Sequence, residues 1–342
     1  MSIQTIEAEL SAATVVEAAS SAYSRLRNEL NPTPLLEYAG LNQLVGGRVL
    51  LKPENLQRTG SFKIRGALNV LDSCLPVARK NGVVAWSSGN HAQGVALAAK
   101  LRGVQAHIVM PEDAPPAKRT STERLGAIVI PYDRYTENRE EIATARAAQL
   151  GAPLIPSYDH PAVIAGQASI GLELVADARV ADVAPEQVLV CCGGGGLSAG
   201  IASVLSVHWP QTKVYVVEPS VADDTVRSLA KGRRVSNSAN TRSVCDALLT
   251  PTPGALTFPI NQALLAGGVS VTDEQALYTV GYARRECRLV LEPGGAVALA
   301  AVLHNKLDVR HRTTVVILSG GNVDDEMLAR GCDIYDRTLA LK

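Results

Sequence analysis

Gln187-Val188-Leu189-Val190-Cys191-Cys192 runs into Gly193-Gly194-Gly195-Gly196 and then into Leu197-Ser198-Ala199-Gly200-Ile201-Ala202. A short apolar run rich in β-branched residues, four glycines and an alanine-rich helical pattern follow one another without interruption. This reads as strand, loop and helix. The alternation recurs outward in both directions. Strands are predicted at Arg48–Leu51, Gly82–Trp86, Gln105–Val109, Ile128–Pro131, Lys213–Val217 and Thr313–Leu318. Helices are predicted at Ile64–Lys80, Ala92–Leu101, Asn138–Leu150, Ala162–Asp177, Leu197–Val207, Asp273–Glu286 and Ala296–Asn305. Strands alternating with helices of this length predict an α/β fold, a mostly parallel sheet covered by helices. The stretch from Gly82 to about Tyr158 carries its own alternation. It is expected to form a smaller domain (82–158) inserted in a larger one (1–81 and 159–342), and the clusters Pro251–Gly254 and Glu292–Gly295 read as turns. No room is expected after the last strand for a regulatory domain.

Thirty-three Lys+Arg balance thirty-three Asp+Glu in 342 residues, so no net field draws the chain to nucleic acid or an anionic membrane. Aromatics at 4% leave few platforms for stacking bases. A small-molecule ligand is expected instead. Six cysteines (Cys74, Cys191, Cys192, Cys245, Cys287, Cys332) show no C-x-x-C pair or zinc spacing and read as reduced thiols. With Glu7 and Glu9 where a signal peptide carries lysines, and no apolar run long enough to span a bilayer, a soluble cytoplasmic protein is expected.

The tetraglycine lets backbone N–H groups approach an anion at the positive end of the following helix, and so reads as a phosphate cradle; a tight structural turn is the plainer alternative. It lacks the Lys and Ser/Thr of a P-loop and the spaced glycines of dinucleotide folds. Upstream, Thr59-Gly60-Ser61-Phe62-Lys63-Ile64-Arg65-Gly66 places a lysine at the mouth of a helix, where neighbouring N–H groups disfavour its charge and a neutral amine can form a Schiff base. Lysine and phosphate cradle together suggest pyridoxal phosphate.

Ser61-Phe62-Lys63-Ile64-Arg65-Gly66, Ser87-Ser88-Gly89-Asn90-His91, Gly193–Gly196 and Ser319-Gly320-Gly321-Asn322 occur in this order and resemble the serine racemase and serine/threonine dehydratase family, which includes 3-hydroxyaspartate dehydratases. These are fold-type II pyridoxal phosphate enzymes. The resemblance, from about Pro32 to Asp324, implies two open twisted sheets and a homodimer. It implies Lys63 as the Schiff-base lysine, Phe62 beside the cofactor ring and Asn90 on the ring hydroxyl. Gly193, Gly194, Gly195, Gly196 and the Leu197 N–H would hold the phosphate, and Ser319 the pyridine nitrogen. A neutral serine leaves that nitrogen largely unprotonated, a weaker electron sink that favours elimination over a long-lived carbanion.

Ser87, Ser88, Gly89, Asn90 and His91 form a strand-to-helix turn suited to a substrate carboxylate. His91 reads slightly better as a packed histidine, and Ser88 matches the position from which racemases protonate the face opposite the lysine. Arg139 matches a position near the distal end of bound dicarboxylates, or belongs to a solvated helix face. Tyr158 departs from the asparagine of serine racemases. Glu218-Pro219-Ser220-Val221-Ala222-Asp223-Asp224 offers two carboxylates and a carbonyl, an all-oxygen set for magnesium, calcium or manganese or else a solvated acidic turn. The resemblance assigns the ligands as Glu218, the Ala222 carbonyl and Asp224. The expected function is a dehydratase releasing a 2-keto acid and ammonia from L-serine, L-threonine or 3-hydroxyaspartate. Serine racemase is the runner-up; a non-catalytic cofactor carrier and a β-replacement synthase rank below.

Overall fold

The computed structural model describes residues 11–341, so Glu7 and Glu9 lie outside the described residues. Two sheets organise the chain. The larger has the order β1-β2-β9-β6-β7-β8, with β1 Leu36–Glu37, β2 Arg48–Pro53, β6 Gln187–Cys191, β7 Lys213–Pro219, β8 Gly267–Val271 and β9 Thr313–Leu318. All its pairings are parallel except β1 with β2. The smaller is β3-β4-β5, wholly parallel, from β3 Val83–Trp86, β4 Ala106–Pro111 and β5 Ile128–Tyr132.

Every residue of β6 is buried, as are Thr314 to Leu318 of β9. That burial explains why these strands read as continuous apolar runs: helices cover a parallel sheet on both faces. The helix Pro293–Leu303, buried from Pro293 to Val302, packs on β6, β7 and β9. The helices Pro161–Val180 and Gly196–His208 pack on each other, and Pro161–Val180 also meets Ala12–Leu26 and Lys63–Ser73. Among the described residues no helix is long and apolar enough to cross a membrane.

The expected strands are present, but β8 was not anticipated. It begins Gly267-Gly268 and pairs β7 in the register Tyr215↔Gly267 to Pro219↔Val271, so the pairing rather than residue propensity makes it a strand. The predicted helix Ile64–Lys80 is two helices, Lys63–Ser73 and Leu75–Asn81, broken at Cys74 with a proline in the first turn of the second. Pro76 supplies no N–H and its ring would clash with the carbonyl four residues back in a continuous helix, which ends the first helix. The predicted Asp273–Glu286 is α-helical only to Tyr282 and continues as a π turn over Ala283–Cys287.

The helix Lys63–Ser73 packs against the helices Pro161–Val180 and Asn90–Arg102. Its Ile64, Leu68 and Leu71 join Val83, Ala85, Ile108 and Met110 of the smaller sheet in one apolar cluster with Val163. Each fully buried side chain of this kind contributes roughly 1.5–3 kcal/mol. On its other side Arg65 is fully buried, giving Nε to Glu54 Oε2 at 2.8 Å and Nη1 to Glu173 Oε1 at 2.7 Å; Lys52 joins Glu173 at 3.1 Å. This network fixes the helix whose first residue is Lys63.

Candidate active site

β6 and β9 are parallel neighbours in the middle of the larger sheet, and the loops leaving their carboxyl ends flank a crevice, the usual ligand position in an open α/β sheet. The chain after β6 is Cys192-Gly193; after β9 it is Ser319. The turn after β3, Ser87–Gly89, closes the crevice from the smaller sheet. Between them lies a cavity of about 380 Å³ lined by Phe62, Lys63, Ser87 to His91, Arg139, Gly193 to Leu197 and Ser319. All the residues expected to contact cofactor or substrate therefore meet in one place. Glu218, Ala222 and Asp224 lie elsewhere, at the end of β7 and the start of the helix Asp224–Lys231.

Lys63 faces the cavity. Its amine donates to the Ser157 carbonyl at 2.9 Å and sits 5.2 Å from the centre of the Phe62 ring. Protein surrounds it closely, and that desolvation lowers its pKa to about 8, with the Cys191 and Glu292 groups acting the other way. A lowered pKa raises the neutral fraction over that of an ordinary lysine, which is the condition for a nucleophilic amine.

The glycine loop is shaped for close approach. A Cβ on Gly194 would fall 2.2 Å from the Tyr158 ring, and one on Gly195 2.6 Å from Asn261 Nδ2. Gly195 also has φ of 90°, where a side chain is strained. The Gly194 carbonyl accepts from Thr257 Oγ1 at 2.6 Å, and that of Gly195 from Asn261 Nδ2 at 3.2 Å. With these carbonyls tied to the helix Thr257–Leu264, the helix Gly196–His208 opens directly on the cavity at its N-terminus. Side-chain-free backbone leading into a helix N-terminus, facing a depressed-pKa lysine, fits a phosphate-bearing aldehyde.

Ser87 Oγ accepts from the Gly89 N–H at 3.1 Å, and Asn90 opens the helix Asn90–Arg102. His91 is buried with Nε2 bonded to the Ile155 carbonyl at 2.9 Å; burial first, and the Lys63 charge second, depress it to about 3, so it is neutral. Arg139 begins the helix Arg139–Leu150 at the rim, next to Tyr158. Ser319 bonds the Cys191 thiol, whose pKa burial raises to about 11.

Sequence reading missed four groups here. Glu292, taken as part of a turn, is 2% exposed on the cavity wall, and burial raises it to about 7. Lys118 and Asp246 line the same wall, paired at 3.0 Å. Thr250 Oγ1 is buried there with no hydrogen-bond partner. Lys118 and Asp246 carry no motif, since a lone charge reads as solvated surface; an acid directly before Pro293-Gly294-Gly295 was the available signal for Glu292, because that tripeptide starts a helix.

Known proteins share both the sequence and this architecture. Over 308 residues the chain is 41% identical to an L-threo-3-hydroxyaspartate ammonia-lyase of Pseudomonas, covering 90% of this chain and 95% of that one. It is 38% identical to a serine racemase of Schizosaccharomyces pombe, covering 91% and 94%. The solved T.th. threonine deaminase superposes with a TM-score of 0.84 at 43% identity, covering 90% of this chain and 98% of that one. The profile of the pyridoxal-phosphate dependent enzymes matches residues 26–320, and the chain belongs to that family.

Proposed function

We propose that this enzyme is a hydroxy-amino-acid dehydratase that removes water from L-serine, L-threonine or 3-hydroxyaspartate, giving a 2-keto acid and ammonia. The observation that carries the reading is the single cavity in which the Lys63 amine, the glycine cradle and the Ser87–His91 turn converge. The names of two relatives, an ammonia-lyase and a deaminase, support this reading, and that of the serine racemase supports the second one below. Lys63 would link to the cofactor, Gly193 to Gly196 and the Leu197 N–H would hold its phosphate, Phe62 would flank the ring, and Asn90 and Ser319 would bind ring hydroxyl and nitrogen. When bound, pyridoxal phosphate supplies the electron sink for loss of the Cα proton. A free Lys63 amine would take that proton and return one to the departing β-hydroxyl, which leaves as water; Ser87, Ser88, Gly89 and the Asn90 and His91 N–H groups would hold the α-carboxylate. Arg139 at the rim favours a second carboxylate, which brings 3-hydroxyaspartate forward.

Serine racemisation is the second reading, favoured by Ser88, which is among the residues lining the cavity and in this reading would protonate Cα from the face away from Lys63. Assaying keto acid release and enantiomer ratio with L-serine, D-serine, L-threonine and the 3-hydroxyaspartate isomers tests both. No keto acid from any of them overturns the dehydratase.

A magnesium, calcium or manganese ion held by Glu218, the Ala222 carbonyl and Asp224 belongs to the same proposal. Asp224 Oδ2 is buried without a hydrogen-bond partner, and burial together with the nearby Asp224 charge raises Glu218 well above the usual carboxylate range. An orphaned oxygen beside a second buried carboxylate fits a hard cation. Among the described residues no three His, Cys, Asp or Glu side chains cluster as a metal site, so carbonyl and water would complete this one. The proposal places the enzyme in the cytoplasm, which the six free thiols support, as a homodimer with residues 82–158 as its smaller domain. Light scattering checks the dimer.

A further inference from the structure

Asn90 is held at both ends of its amide. Asn322 Nδ2 donates to the Thr59 carbonyl at 2.7 Å and to Asn90 Oδ1 at 2.6 Å, and Asn90 Nδ2 donates to Glu292 Oε1. The orientations follow from chemistry. A backbone carbonyl can only accept, so the Asn322 atom facing Thr59 is its nitrogen. That nitrogen fixes the facing Asn90 atom as oxygen, and the Asn90 nitrogen then faces Glu292. One of its two N–H bonds is committed there, and the other remains for the cavity that Asn90 lines. Gly320 makes room for the contact: a Cβ there would fall 2.1 Å from Glu292 Oε1 and 3.2 Å from Asn90 Nδ2.

We propose that Glu292 and Asn322 are positioning residues that clamp the Asn90 amide and present its nitrogen as a donor to the cofactor ring, with the charge on Glu292 tuning that donor and the ring's field. The proposal rests on the reading of Asn90 as the partner of the ring oxygen. Glu292 faces Lys118 from the helix Pro116–Arg124, Lys63 from Lys63–Ser73, Asp246 from the turn Asp246–Leu248 and the Cys191 thiol from β6. Burial pushes its carboxyl up to about 7; Lys118, the Asn90 bond and Lys63 favour the charged form, and Asp246 opposes it. The charge on Glu292 is therefore set by burial against these neighbours.

The test is a pH titration of the visible absorption of holoenzyme loaded with pyridoxal phosphate, with cofactor affinity measured alongside. Wild type is expected to show a spectral step centred near the Glu292 pKa, and Glu292→Gln to lose it while retaining the cofactor. Asn322→Ala is expected to keep the step and to bind pyridoxal phosphate about fivefold more weakly, because the freed Asn90 amide can rotate. A step unchanged in Glu292→Gln overturns the charge tuning, and wild-type affinity in Asn322→Ala overturns the clamp and carries the test alone if the first variant fails to fold. Wild type that binds no pyridoxal phosphate overturns the underlying reading of the site instead.

Discussion

Lys118 Nζ lies 3.0 Å from Asp246 Oδ2, joining a helix of the smaller sheet to a turn of the larger one across the cavity. A Cβ on Gly89 would sit 3.6 Å from the same nitrogen, so this cation borders the turn assigned to the substrate carboxylate. Burial works against the Lys118 charge, but Asp246 and Glu292 outweigh it and hold its pKa above the usual lysine range.

The pair has a consequence for pH dependence. Lys118 stabilises the ionised form of Glu292, so Lys118→Ala should raise the Glu292 pKa and move the spectral step to higher pH. Asp246→Asn removes a repelling charge and should move it lower. The pH titration of the holoenzyme checks both signs; a step that moves the same way in both variants contradicts the electrostatic account.

Arg65 between Glu54 and Glu173 predicts a large effect on stability. Arg65→Met leaves buried carboxylates without their cation, and breaking such a network from one side costs about 3–5 kcal/mol. Lys52 remains near Glu173, so Glu54 bears most of the loss. Denaturant unfolding measures it, and a loss below about 1 kcal/mol would place this network among weak surface pairs.

How far the site could be read from sequence depends on the kind of contact. The glycine loop and Lys63 are legible because backbone geometry and amine chemistry demand particular residues at particular places. Glu292 and Asn322 were not assigned roles, since what matters is which amide atom each faces across 202 and 232 residues of chain. Likewise β6 and β9 announce themselves by burial on both faces, while the half-buried β8 is a strand through its pairing with β7. The break at Cys74 was legible from Pro76, and the helical periodicity running through it masked the signal.

For the acidic turn, chelation should lower the melting temperature, and magnesium, calcium or manganese should restore it, because an ion bound only to the folded chain stabilises it. Asp224→Ala should abolish that response. A wild-type melting temperature indifferent to chelator means that Glu218 and Asp224 hold no ion.

Ser88 separates the two readings of function. Ser88→Ala should retain dehydration of an L-hydroxy amino acid within about tenfold, while serine racemisation falls by at least about 100-fold through loss of its proton donor. Keto acid formation and enantiomer ratio, measured from each serine enantiomer, decide this. Loss of L-dehydration with an intact cofactor spectrum would give Ser88 a role in elimination that the two-face account lacks.

The central claim is that Lys63 is both the attachment point of the cofactor and the base for elimination. The direct measurement compares wild type with Lys63→Ala after borohydride reduction, locating the pyridoxyl label by peptide mass spectrometry, alongside keto acid release from the best hydroxy amino acid. Wild type is expected to carry the label on Lys63 and to turn over. The variant should carry no label and lose at least about a thousandfold in rate. A label on another lysine, or a variant that still eliminates water at a comparable rate, would contradict the account.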